Sequence, residues 1–141
     1  MKEIVEVFTL IFISASELIY LGDTGVKWGY YNKNLATELN IDVDYHGKMP
    51  DVIFYYRKKK RLVLIESVTS HGPVDHKRRI ELEELFTSTS LGLVYVSAFL
   101  DKSTAKNFMK DIALESEVWI ASDPTHMIHF NGEKFLGPYS E

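Results

Sequence analysis

Ile4, Val5, Val7, Phe8, Ile11 and Phe12 recur at helical spacing with Glu3, Glu6 and Thr9 between them, so the pattern predicts a first helix reaching about Ile13. "ELIYLGDTG" (residues 17–25) then reads as a strand closed by a turn, "KWGYYN" as its hairpin partner and "NLATELN" as a short helix. Two more apolar runs lie within "MPDVIFYYRKKKRLVLIESVTSHGP" (residues 49–73), joined by a basic turn. "VDHKRRIELEELF" predicts a helix with Leu82, Leu85 and Phe86 on one side, and "LGLVYVSAF" a nearly unbroken apolar strand of the fully buried kind. A helix over "STAKNFMKDIALES" with Ser103 or Thr104 as cap, a strand over "EVWIAS" and a hairpin over "HMIHFNGEKFLGPY" turning at Asn131-Gly132 complete the chain. No repeat, linker or low-complexity segment interrupts this order, which predicts an α/β domain with a mixed central sheet flanked by helices.

Composition narrows the function classes. A chain of 141 residues that is 45% hydrophobic makes one domain with a single sizeable core. The formal net charge is -4, so any nucleic-acid contact has to come from a local basic surface. The absence of cysteine excludes disulfides, thiolate zinc sites and cysteine nucleophiles, and fits a reducing cytoplasm. "EIVEVFTLIFIS" is too short to span a bilayer and is interrupted by Glu3 and Glu6, so it is expected to be a buried helix and no membrane contact is expected.

The chemistry concentrates in residues 49–73, where Asp51 opens one apolar run and Glu66 nearly closes the next. Side chains alternate along a strand, so Asp51, Ile53 and Tyr55 share one face, and Leu62, Leu64, Glu66 and Val68 another. If the loop is residues 57–60, an even number, Tyr56 pairs with Arg61, Ile53 with Leu64 and Asp51 with Glu66. A loop one residue shorter or longer sends the carboxylates to opposite faces. In the even register their Cβ atoms sit roughly 5 Å apart, repelling each other unless a cation lies between them. Two oxygen ligands at that spacing suit a hard divalent ion such as Mg²⁺, which completes its shell with water and phosphate oxygens. The alternative is that Asp51 is a turn residue after Pro50 and Glu66 a solvated strand end.

Pro50-Asp51 and Glu66 resemble the paired acidic elements of the PD-(D/E)XK nuclease superfamily. The longer strings "LIESVTSHGPVDHKRRIELEEL", "EVWIASDPTHMIHFNGEKFLGPY" and "LIYLGDTG" are similar to the catalytic region of BsuBI/PstI-type restriction endonucleases, over about residues 17–139. That resemblance implies a restriction-endonuclease-like core and a Mg²⁺-dependent type II enzyme. The enzyme would act on double-stranded DNA, usually as a homodimer, with CTGCAG as recognition sequence. Two departures stand out. The superfamily pattern places a lysine two residues after the glutamate, where this chain has Val68. Family proteins also carry an N-terminal region, expected to serve recognition, ahead of the catalytic part, and this chain begins almost where that part should.

The helix after Glu66 is expected to start near Asp75 and carries His76, Lys77, Arg78 and Arg79 in its first turn. Cations are unfavourable at the positive end of the helix dipole, and an uncompensated violation there points to an external anion such as a DNA phosphate. Lys77 is the first candidate for the displaced catalytic lysine and Arg78 the second, with Arg78 and Arg79 also facing DNA. The alternative pairs Lys77 with Glu81 and leaves the two arginines solvated.

Arg57, Lys58, Lys59, Lys60 and Arg61 form a basic hairpin tip, expected beside the carboxylates and able to follow a phosphate backbone; the alternative is a merely solubilising turn. Asp23 offers a third carboxylate or a turn cap, and His71 a contact to DNA or the metal's water or an incidental loop residue. His126 and His129 fall on opposite strand faces, which argues against zinc.

These expectations converge on phosphodiester hydrolysis by a catalytic domain. The competing class is a non-catalytic DNA-binding or assembly module from a larger restriction enzyme. A domain binding only protein is a third option, and it leaves the carboxylate pair without relief.

Overall fold

Alternation in the two apolar runs of residues 52–67 decides the layout of the sheet, because each run carries two complete sets of apolar side chains and must be covered on both faces. The computed structural model describes residues 2–22, 29–42, 49–69, 72–130 and 132. In chain order the strands are β1 (Glu17–Leu21), β2 (Tyr30–Tyr31), β3 (Val52–Tyr56), β4 (Arg61–Ser67), β5 (Gly92–Phe99), β6 (Glu117–Ile120) and β7 (Met127–His129). They form one sheet in the order β2-β1-β3-β4-β5-β6-β7. Pairing is antiparallel from β2 through β4, parallel through β4, β5 and β6, and antiparallel again at β7. The parallel pairs need long crossovers, which carry the helices α3 (His76–Leu85) and α4 (Lys102–Lys106).

One face of the sheet packs Ile53, Tyr55, Leu62 and Leu64 against Leu82 and Phe86 at α3 and against Leu35 and Ala36 of α2 (Lys33–Glu38). Asn32 caps α2 by accepting from the Leu35 amide at 3.1 Å. The other face packs Val52, Phe54, Val63 and Ile65 under the N-terminal helix, a π-helical turn over Ile4–Phe8 running into α1 (Thr9–Phe12). The widened turn brings Ile4 and Phe8 to the sheet together, with the Phe8 ring edge-on to Trp119 at 5.4 Å between centroids. A third cluster, Val68, Phe99, Ala105, Ile112, Val118 and Ile120, closes the end of the sheet beneath α4.

The long helix expected over residues 103–116 is divided. Asp101, not Ser103 or Thr104, is the cap, its carboxylate accepting from the Thr104 amide at 2.8 Å. After α4 the chain tightens into a 3₁₀ turn at Met109–Asp111, which brings Ala105 and Ile112 into the third cluster with Phe108 packed against it. The Ala113 amide then donates to the Val74 carbonyl at 2.9 Å. At the C-terminus β7 pairs with β6, while Asn131 of the expected turn lies outside the described residues. Among the described residues no helix is long and apolar enough to cross a membrane.

Two substitutions test this packing by denaturant unfolding. Phe8→Ala should lower stability by about 3–4 kcal/mol through a cavity beside Trp119, whereas Leu10→Ala, at a position 73% exposed, should change it by less than about 0.5 kcal/mol. Val68→Lys, which restores the superfamily's lysine, should cost roughly 3 kcal/mol or more, because it drives an ammonium into the third cluster. Unchanged stability in that variant would show that the position opens to solvent.

Candidate active site

The turn between β3 and β4 fixes the site. Residues 57–59 form a 3₁₀ turn and Lys60 takes the left-handed conformation, φ 53° and ψ 54°. Tyr56 therefore opposes Arg61, Ile53 opposes Leu64 and Val52 opposes Ile65. The next position along places Asp51 level with Glu66, on the face covered by α3. Asp51 is held at both ends: its Oδ2 accepts from the Ser67 amide at 2.8 Å, and its carbonyl accepts from the Gly22 amide at 2.8 Å. Asp23 follows directly but lies outside the described residues, as does His71.

Glu66 is largely enclosed, its side chain 13% exposed. Burial pushes its carboxyl up to about 7, with the Arg78 guanidinium opposing the shift and the Asp51 carboxylate adding to it. Arg78 donates to Glu66 Oε1 from Nε at 2.7 Å and lies 2.6 Å from it through Nη2. Nη2 also donates to the Met49 carbonyl at 3.1 Å, and Nη1 to Glu81 at 3.4 Å.

Two local features bring α3 over the carboxylates. Asp75 caps the helix by accepting from the Arg78 amide at 2.7 Å. Ser97, in register with Glu66 on β5 and fully buried, accepts from the Val74 amide at 2.9 Å and pins the segment entering the helix. Ser97 was not singled out in the sequence, although it is the one serine inside the apolar run "LGLVYVSAF", and a buried hydroxyl needs a partner. The roles of the Met49 carbonyl and the Ser67 amide carried no side-chain signal at all.

The helix-turn cations divide in a way that spacing did not foretell. Arg78 and Arg79 both pair with carboxylates of this chain, Arg78 with the enclosed Glu66 and Arg79 at the surface with Glu83 at 3.4 Å and Glu115 at 3.0 Å. Their unfavourable position on the helix dipole is thus offset by ion pairs within the chain, largely enclosed for Arg78 with Glu66 and at the surface for Arg79. Glu81 pairs with Arg78 instead of Lys77. Lys77 is exposed and, among the described residues, has no ion pair or hydrogen bond.

The basic tip does not adjoin the carboxylates. It lies at the far end of β4, five residues from Glu66 or roughly 16 Å at strand spacing. Arg57 is occupied there by Glu17, at 3.0 and 3.2 Å, and Arg61 bonds the Lys59 carbonyl at 3.1 Å. Lys58, Lys59 and Lys60 are exposed. His126 bonds Thr125, and His129 bonds Glu117.

No three His, Cys, Asp or Glu side chains converge on a metal position among the described residues. Asp51 and Glu66 are nonetheless a fitting pair for a hard divalent ion. They offer carboxylate oxygens from one sheet face and meet through a side-chain hydrogen bond, and a divalent ion in place of the proton they share would neutralise both charges.

Comparison with known proteins agrees with this geometry. The sequence profile of the BsuBI/PstI restriction endonuclease domain matches residues 1–133. The chain is 52% identical to the type II restriction enzyme BsuBI of Bacillus subtilis over 98% of its own length and 44% of that protein. It is 33% identical to the type II restriction enzyme AplI of Arthrospira platensis over 89% of its length and 41% of that protein. Its fold superposes on the SdaI restriction endonuclease with a TM-score of 0.93 at 39% identity, covering 99% of this chain and 44% of that one. The chain spans less than half the length of each of these relatives. With the mixed sheet, the aligned carboxylates and a profile match over nearly its whole length, the chain belongs to the BsuBI/PstI restriction endonuclease domain family.

Proposed function

We propose that this chain is the catalytic domain of a type II restriction endonuclease that hydrolyses phosphodiester bonds of double-stranded DNA. The observation that carries the proposal is the convergence of Asp51 and Glu66 on one sheet face beneath the N-terminus of α3, in a chain of this family. Asp51 and Glu66 would hold Mg²⁺ through carboxylate oxygens. When bound, the ion supplies Lewis-acid polarisation of the scissile phosphate and a more acidic water.

Lys77, exposed on the first turn of α3 and free of internal ion pairs among the described residues, is assigned to the charge developing on the phosphate. Arg78 and Arg79 are committed within the protein, so their part is to hold the site. Cleaving both strands of a palindrome calls for a two-fold pair of domains, hence a homodimer on DNA. CTGCAG is the target proposed for test, and its recognition is assigned to a further region of the kind that makes the matched relatives longer. The absence of cysteine suits a cytoplasmic site of action.

Val68 in the place of the superfamily's lysine favours one other function, a DNA-binding or assembly module without catalysis. Cleavage of plasmid DNA with and without Mg²⁺ separates the two. Asp51→Asn and Glu66→Gln should each abolish metal-dependent cleavage while far-UV circular dichroism stays native. Retained nicking in either variant would remove the metal site. Lys77→Ala should lower the cleavage rate about 10²–10³-fold, the loss expected for one electrostatic donor, and parental activity would exclude that role.

Glu66 also makes stability depend on pH. Its carboxyl titrates near 4.5 unfolded and about 7 folded, so between those values the native state keeps a proton that the unfolded chain releases. Without metal, stability should be greatest below the lower value and fall as pH rises through about 7. Unfolding by urea across that range should show the fall in the parent and its absence in Glu66→Gln. A parent curve without it would show that Glu66 is ionised throughout.

A further inference from the structure

Arg78 connects the two segments that carry the carboxylates. On one side its Nε and Nη2 both meet Oε1 of Glu66, at 2.7 and 2.6 Å. On the other its Nη2 donates to the carbonyl of Met49, two residues before Asp51, with Pro50 restricting the backbone between. Asp51 itself spends Oδ2 on the amide of Ser67, the residue after Glu66. The strand end and the segment before β3 are thus linked by two cross-connections, one through Arg78 and one through Asp51.

These contacts distinguish the oxygens of each carboxylate. Oε1 of Glu66 meets Arg78 and Oδ2 of Asp51 meets the Ser67 amide, and the two carboxyl groups also meet each other through a side-chain hydrogen bond. The guanidinium is also shared with Glu81, so once Glu66 is ionised the carboxylates around it carry more negative charge than Arg78 offsets, which a divalent cation would neutralise. A group that bonds one oxygen of a ligating carboxylate orients the carboxylate, and losing such a partner typically costs about 10- to 100-fold in metal affinity.

We infer that Arg78 is a positioning residue for the metal site: by fixing Glu66 Oε1 and the Met49 carbonyl together, it orients Glu66 and sets the spacing between the two carboxylates. This deepens the metal-dependent function proposed above and rests on it. The opposite effect, in which the guanidinium repels the ion and removing it strengthens binding, predicts the reverse sign.

Binding of Mn²⁺ alone, followed by the electron paramagnetic resonance of the free ion without DNA, decides between them at about pH 9, above the Glu66 titration. The parent should bind, and Asp51→Ala and Glu66→Ala should lose binding. If both bind like the parent, the metal site itself is wrong. Given their loss, Arg78→Gln should bind about 10- to 100-fold more weakly. Arg78→Lys, which keeps a charge near Glu66 but cannot span to the Met49 carbonyl in the same way, should fall between Arg78→Gln and the parent. Parental or tighter binding in Arg78→Gln and Arg78→Lys would overturn the positioning role. If thermal unfolding shows that Arg78→Gln does not fold, Arg78→Lys decides alone, and parental affinity in it overturns the inference.

Discussion

The even turn between β3 and β4 is the constraint on which the rest depends. Because strand side chains alternate, a one-residue slip would turn one strand over against the other, taking Ile53 and Tyr55, or Leu62 and Leu64, out of the core under α3 and putting that strand's other set in a core it does not fit. Each buried apolar side chain contributes roughly 1.5–3 kcal/mol, so the hairpin's apolar side chains hold the register far more strongly than any local term opposes it. The left-handed Lys60 costs only about 1–2 kcal/mol. Enclosing Glu66 beside Asp51 raises its carboxyl to about 7, an unfavourable effect on the order of 3 kcal/mol at high pH. The hydrophobic cores therefore hold the carboxylates together against their own preference.

That imposed proximity explains why α3 is charged where helices usually are not. A helix beginning with His76, Lys77, Arg78 and Arg79 opposes its own dipole. The Asp75 cap offsets part of this, and Arg78 offsets more by meeting a carboxylate that burial has made costly to ionise. Arg79 turns to Glu83 and Glu115 and lies over the Tyr95 ring at 5.8 Å. Lys77 is left facing outward from the same turn. The helix thus combines internal neutralisation at Arg78 with an exposed charge at Lys77.

Much of this was legible in the sequence, and the limits have physical causes. The strands, their order of appearance and the hairpin register follow from alternation and the even turn, local rules that tertiary packing reinforces. The cap of α4 went to Asp101 because the apolar strand ends at Phe99, leaving a carboxylate where the helix begins. Partners of long flexible cations were beyond sequence rules: spacing on the helix offers Glu81 to Lys77, whereas the fold brings Glu66 to Arg78 from β4. The basic tip was misplaced for a simpler reason. A hairpin's turn and its open end lie a strand length apart, so residues close in sequence to both carboxylates are the ones farthest along the sheet.

Val68 shows how the site and the core constrain each other. Its position two residues past Glu66 shares that residue's face, but here the sheet is covered by α4 and by the chain entering β6, and Val68 packs with Phe99, Val118 and Ile120. A cation at that position would need a route to water that this cluster closes. Among the described residues the positive charge that meets Glu66 comes from across the face, where α3 supplies it through Arg78, steered by the Ser97–Val74 bond and the Asp75 cap. An apolar residue on the strand and a cation on the helix are two parts of one arrangement: the packed sheet end has no room for a cation at Val68, and the ion pair to Glu66 comes from α3.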